Sequence, residues 1–332
     1  MKVILALIGL AFCMAGIAQQ YPIITDTLPR KSYDSKQGQN YHAFLSTGFF
    51  GTSNGNVPFW MRSMKYGNVP AEGVSFSFIG GVFKEYNKET KRLMDWGAGF
   101  EGRANAGTHS KFIPVEAYAK VRFSIFGLKG GRYREQIGLV DSTLSSGSFS
   151  LSGNALGVPK IEAGIANYWN VPLTRGVIAI KGNIAHGWMD KQILRKSNDT
   201  TPVSENNAYF HQLSSYGRIG KQAWKIRLFG GINHLVIWGL ENQIYPNWGL
   251  SDFETFLYVL VGKPYGTNTI PTSKVGNHVG TIDQAMEWEI GQVLFTGYHQ
   301  FFYDVGAIAT LANGRDGLWG ISLKNKNTKS NY

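Results

Sequence analysis

Arg132 and Arg134 stand two residues apart in GGRYREQIG. In an extended chain that spacing puts both guanidinium forks on one face, with Gln136 beside them. Such a pair can take the carboxylates of an acidic glycan in bidentate fashion. The plainer alternative is pairing with carboxylates of the same chain, Glu101 and Glu162 among them, and it takes precedence because buried charges are usually paired before they are functional. Tyr245 and Trp248 lie in the loop-like run ENQIYPNWG, where flat rings can stack on the C–H faces of sugars. Trp188 and Trp238 have the same capability but fit better in an aromatic girdle at a bilayer interface, together with Trp60, Trp96 and Trp319.

Other chemistries are poorly supported. GAGFEG at Gly97–Gly102 matches G-x-G-x-x-G, but that fingerprint works only at a strand-to-helix turn, and here Trp96, Ala98 and Phe100 alternate straight through it. The seven histidines, His42, His109, His186, His211, His234, His278 and His299, have no metal-ligand spacing. The serines from Ser145 to Ser148 sit in no nucleophile elbow. The single cysteine, Cys13, falls in an expected leader, which leaves no thiol for catalysis, disulfides or zinc. The expectation is a non-enzymatic protein with no cofactor and no metal.

The elements that must position these residues are strands. From Val115 to Ile125, one face carries Val115, Ala117, Ala119, Val121, Phe123 and Ile125, and the other Glu116, Tyr118, Lys120, Arg122 and Ser124. Eleven residues of this kind match a tilted strand crossing a bilayer, about 9 to 11 residues. The pattern recurs where Trp96, Ala98 and Phe100 give way to Glu101, Arg103 and Asn105, and where Ile161, Ala163 and Ile165 oppose Lys160 and Glu162. It returns as Trp224, Ile226 and Leu228 against Lys225 and Arg227, and as Ile282, Met286, Trp288 and Ile290 against Asp283, Glu287 and Glu289. The charged residues carry both signs, as a self-neutralising enclosed network would.

A soluble β-sandwich also alternates. Strand length, aromatics near strand ends and the 41 glycines favour an all-β, antiparallel outer-membrane β-barrel, because strands in lipid must close to satisfy their backbones. Residues 1–18 read as a signal peptide, with Lys2 before an apolar run, 19–40 as a polar periplasmic lead-in, and 41–332 as a barrel of about 12 to 14 strands. Lys196–Asn207 and Lys263–Asn277 read as surface loops. Losing Lys2 takes the formal charge from +11 to +10. That balance suits acidic glycans or lipid headgroups rather than nucleic acid in an exported protein.

Four blocks, Gly130–Ile165, KGNIAHGWM (Lys181–Met189), RLFGGINHLVIWG (Arg227–Gly239) and GNHVGTIDQAMEWEIG (Gly276–Gly291), resemble the capsule-assembly Wzi family of outer-membrane proteins. The resemblance implies a barrel of about eighteen strands in the complete family pattern. It also implies lectin-like binding of capsular or surface polysaccharide, with outer-membrane lipid, lipopolysaccharide and the barrel-assembly machinery as further partners. The ending LKNKNTKSNY lacks the lipid-facing pattern of a closing strand, so final strands of the family pattern are expected to be missing. The serine- and glycine-rich part of Gly130–Ile165 is expected to be irregular backbone folded partly inside the barrel, where a wet interior tolerates it.

Overall fold

The computed structural model describes residues 40–52, 55–87, 93–141, 144–145, 147–195, 202–304 and 314–326; the expected signal peptide and nearly all of the lead-in lie outside them. The chain runs through β1 (Tyr41–Phe50), β2 (Ser75–Lys84), β3 (Met94–Gly107), β4 (Lys111–Phe123), β5 (Phe126–Arg132), β6 (Lys160–Asn170), β7 (Ile178–Arg195), β8 (Pro202–Ile219) and β9 (Ile226–Trp238). A two-stranded hairpin, β10 (Pro264–Tyr265) and β11 (Ser273–Lys274), precedes β12 (Asn277–Ile290), β13 (Val293–Asp304) and β14 (Leu318–Asn325). Twelve of these form one antiparallel sheet in chain order, with β12 next to β9; among the described residues its two edges, β1 and β14, are not paired to each other.

One end of the sheet has short connections, including Ser124–Ile125 and Gly291–Gln292, where Ser124 and Gly291 take positive φ. The opposite end carries the long ones, Gly51–Val74, Tyr133–Pro159 and Gly239–Gly276.

The sheet is strongly curled around the segment Tyr133–Pro159. Arg134 pairs with Glu101 on β3, while the amide of Leu139 donates to Asp283 on β12 at 2.9 Å. On a flat sheet the seven strand spacings from β3 to β12 would amount to roughly 34 Å. Five residues of backbone reach at most about 18 Å, so a flat sheet would need the Arg134, Glu101 and Asp283 side chains fully extended along it; a sheet bent around the segment makes both contacts without that.

Polarity is reversed relative to a water-soluble protein. On β2, Phe76, Phe78 and Val82 are exposed, whereas Ser75, Ser77 and Phe83 face inward and are buried. On β12, Met286, Trp288 and Ile290 point outward while Thr281, Asp283 and Glu287 are buried. On β14, Trp319, Ile321 and Leu323 are 67 %, 71 % and 68 % exposed and Ser322 between them is 2 %. Large apolar side chains seldom cover an outer face while charged ones are fully buried unless that face meets something other than water.

Several expectations need correction. Val115 is buried on the inner face because a bulge opposite Glu101 and Gly102 makes it an extra residue in β4. Ile125 lies in the turn after β4. GRYREQIG is not a strand throughout: β5 stops at Arg132, after Gly131 at φ 126°, and the chain leaves the sheet there. The described half of Lys196–Asn207, residues 202–207, is strand rather than loop, since β7 and β8 are 18 residues each and pair as far as Arg195 and Pro202; 196–201 lie outside the described residues. Lys263–Asn277 lies in the connection before β12 as expected of a loop, up to Asn277, which starts that strand, and it carries the small β10–β11 hairpin.

Candidate functional site

The inner face and the Tyr133–Pro159 segment form one continuous polar and apolar interface. Ile137 packs with Phe210 and Leu235, and Leu139 and Val140 pack with Tyr216, Phe229, Ala285 and Tyr298. Burying Ile137, Leu139 and Val140 of the segment contributes roughly 1.5–3 kcal/mol each. Two amides pin the segment: Leu139 to Asp283, and Phe149 to the Oε1 of Gln300 at 3.1 Å. Asp283 also accepts from Gln300 at 3.0 Å and from the Tyr216 hydroxyl at 3.1 Å. Gly138 must be glycine at this crossing, with φ 93° and the space for a Cβ already taken by the Gln300 side-chain amide. Farther along, Asp141 pairs with Lys324 of β14 at 3.3 Å, and Gly153 accepts from the amide of Tyr66, in the connection after β1.

Most of the expected charged network is inside. Glu101 and Glu116 are direct neighbours across β3 and β4, and Arg134 spans both. Arg103 donates to Asn105, Asn68 and Ser77. Lys120 pairs with Glu85 at 2.5 Å, and Arg122 with Asp95 at 3.9 Å. Lys160, 2 % exposed, is held by Glu135 at 2.5 Å, Gln212 at 2.6 Å and Glu162 at 3.8 Å. Arg227 joins Glu287 and Glu289, each at 2.8 Å. Lys225 departs from expectation: it is exposed in the turn before β9, because the strand begins one residue later. Beside the segment a cavity of about 90 Å³ is lined by Lys129, Tyr133, Glu135, Lys181, Ser214 and Asn233, among others, with room for a few waters.

The two arginines separate. Arg134 is engaged with Glu101, one of the carboxylates expected for it, and its backbone amide donates to Glu116 at 3.0 Å. Arg132 ends β5 half-buried, with its Nε lacking a hydrogen-bond partner among the described residues. They therefore do not form one open fork.

Tyr245 and Trp248 do come together, in the Gly239–Gly276 connection at the long-loop end, with rings 6.2 Å apart and nearly parallel. Trp248 also donates to Thr255 Oγ1 at 3.1 Å and meets Tyr265 at 4.7 Å, so it is partly a packing residue. Both rings remain half-exposed. The connection contains a helix, Asp252–Val261, started by a capping box in which Ser251 and Glu254 bond reciprocally and stopped by Gly262 at φ 64°. The Ser251 N–H and hydroxyl hold the Glu254 carboxyl below its ordinary pKa, whereas burial raises that of Glu241, although Gly239 N–H donates to it at 2.8 Å.

Sequence spacing gave no sign of one cluster. His186, His211, His234 and His278 lie on the outer faces of β7, β8, β9 and β12, with His186 directly opposite His211 and the rings of His234 and His278 bonded at 2.8 Å. His234 also bonds Tyr303 at 2.8 Å. Among the described residues no group of three or more histidine, cysteine or acidic side chains is arranged for a metal ion. Trp188 is half-exposed on this outer face, as a girdle residue would be; Trp238, expected beside it, is buried under the Asp252–Val261 helix. GAGFEG lies wholly within β3, where no helix follows it. Compared with known proteins, the chain matches no protein-family model and no curated protein.

Proposed function

We propose that this chain is a non-enzymatic transmembrane β-barrel protein of the outer membrane of a Gram-negative bacterium, and that it binds or anchors capsular or other surface polysaccharide. The observation that carries the membrane reading is the reversed polarity, with Phe78, Leu228 and Ile321 outside and Glu116, Asp283 and Gln300 inside. Short connections at one end and long ones at the other fit periplasmic turns and extracellular loops. Polysaccharide binding is supported by the stacked Tyr245–Trp248 pair at the long-loop end and by the resemblance of four sequence blocks to the Wzi family.

The runner-up is a transport barrel, and the segment pinned across the interior by Asp283 and Gln300 favours anchoring over it. Two measurements separate them. Deleting the gene should release surface polysaccharide, as seen by imaging; unchanged retention would count against anchoring. Steady conductance of the purified protein in planar bilayers would instead support transport.

A further inference from the structure

We propose that the connection Gly239–Gly276 is a lipid anchor: its Asp252–Val261 helix lies against the outside of the sheet and presents Phe253, Leu257 and Val261 to the acyl chains of the outer leaflet. The inference rests on the membrane-spanning part of the reading above and is independent of polysaccharide binding.

Register fixes where the helix sits. β9 pairs with β12 without a shift from Ile226 to Ile237, and with β8 from Leu228 to Trp238. Val236 and Trp238 therefore share the outer face with Ile226 and Leu228, which are about half exposed. Val236 and Trp238 are nevertheless buried, because Val259 and Val275 of the connection cover them and the Phe256 ring lies 5.9 Å from Trp238 and 5.3 Å from His186. The helix has come over the rim and packs on the outside.

Its height is that of a membrane interface. Trp188, Tyr209 and Trp238 are direct cross-strand partners and form an aromatic row on the outer face. The 13 residues of β9, at about 3.3 Å each and a tilt of about 40°, rise roughly 30 Å from the opposite end, close to the thickness of a hydrocarbon core.

The side of the helix turned away from the sheet is apolar too. Phe253, Leu257 and Val261 recur every four residues and are 68 %, 41 % and 72 % exposed, while Thr255 and Val259 are buried. Acidic residues occur only in the first turn, at Asp252 and Glu254. A helix apolar on both sides suits a position between protein and lipid rather than between protein and water. At its C-terminal end stand Lys263, with Nζ 4.4 Å from the Tyr258 ring, and Lys274, whose Nζ lies 4.0 Å from the Cβ position of Gly262. These cations are placed for lipid phosphates at the same interface.

The test uses single-cysteine variants Leu257→Cys, Ile184→Cys and Thr269→Cys carrying an environment-sensitive fluorophore, reconstituted into vesicles of phosphatidylglycerol and phosphatidylcholine with brominated acyl chains. Quenching at position 257 comparable to that at 184, with none at the polar position 269, is expected. Quenching at 184 but not at 257 would overturn the anchor while leaving the membrane-spanning reading intact. Absence of quenching at 184 would remove both. Efficient disulfide crosslinking of Leu257→Cys between two copies would assign the stripe to self-association and likewise overturn the lipid proposal.

Discussion

Replacing Asp283 with alanine should free the internal segment while leaving the sheet in place. The carboxylate accepts from Leu139 N–H, Gln300 and Tyr216 at 2.9, 3.0 and 3.1 Å, and its residue is 0 % exposed. Removing it takes this acceptor from the Leu139 amide, Gln300 and Tyr216, and also from Asn233 at 3.4 Å, which keeps Thr281; each buried bond lost costs about 1–3 kcal/mol. Neighbours share the relaxation, so a total of about 3–6 kcal/mol is expected. Most of that loss falls on the segment, because β12 keeps its backbone pairing to β9 and β13 on either side. The assay is a pair of readings on the purified variant: conductance in planar bilayers, and cleavage of Tyr133–Pro159 by a soluble protease with heat-modifiable gel migration as the control for sheet integrity. Asp283→Ala should gain conductance and cleavage with folded migration retained. A variant that stays closed, resists protease and melts like the parent would refute the idea that this carboxylate pins the segment.

Arg134→Met should destabilise the protein by about 3–5 kcal/mol, since Glu101 and Glu116 are 4 % and 1 % exposed neighbours; adding Glu101→Gln should recover part of the loss in a thermal gel-shift assay, and no recovery would sink the pairing argument. Because Glu254 has a lowered folded pKa, its contribution to the helix start is complete above the ordinary carboxylate range and is lost as pH falls through that depressed value. Amide-exchange protection of residues 252–256, corrected for intrinsic rates, should therefore decline on acidification in the parent and stay flat in Glu254→Gln. Tyr245→Ala should weaken binding of purified surface polysaccharide about fivefold, the equivalent of about 1 kcal/mol, without altering the Trp248–Thr255 bond; unchanged affinity by calorimetry would remove Tyr245 from the site.

The sequence made the sheet legible wherever register is unbroken. Ile282–Ile290 reads correctly because β12 pairs with both neighbours without a shift there, whereas Val115 changes face at a bulge that alternation cannot foresee. Irregular backbone inside the fold was readable from the serines and glycines of Gly130–Ile165. Its anchors were not, because Asp283 and Gln300 lie 144 and 151 residues from the amides they hold. The network is legible because ionised residues share strand faces with other polar ones, and Lys225 stands outside it because β9 starts after it. Trp238 has the right parity for a girdle, and only tertiary packing of the Asp252–Val261 helix hides it. The histidines converge through strand pairing, for which linear spacing gives no signal.

Spin labels stepped one residue at a time along β12 from Ile282 to Ile290 test most directly whether the outer face meets lipid, and the only cysteine, Cys13, lies outside the described residues. In reconstituted vesicles, labels at Met286 and Trp288 should collide with membrane-dissolved oxygen and be shielded from a water-soluble nickel chelate, while labels at Ala285 and Glu287 should collide little with either. Free access of the nickel chelate to Met286 and Trp288 would place that face in water and contradict the account.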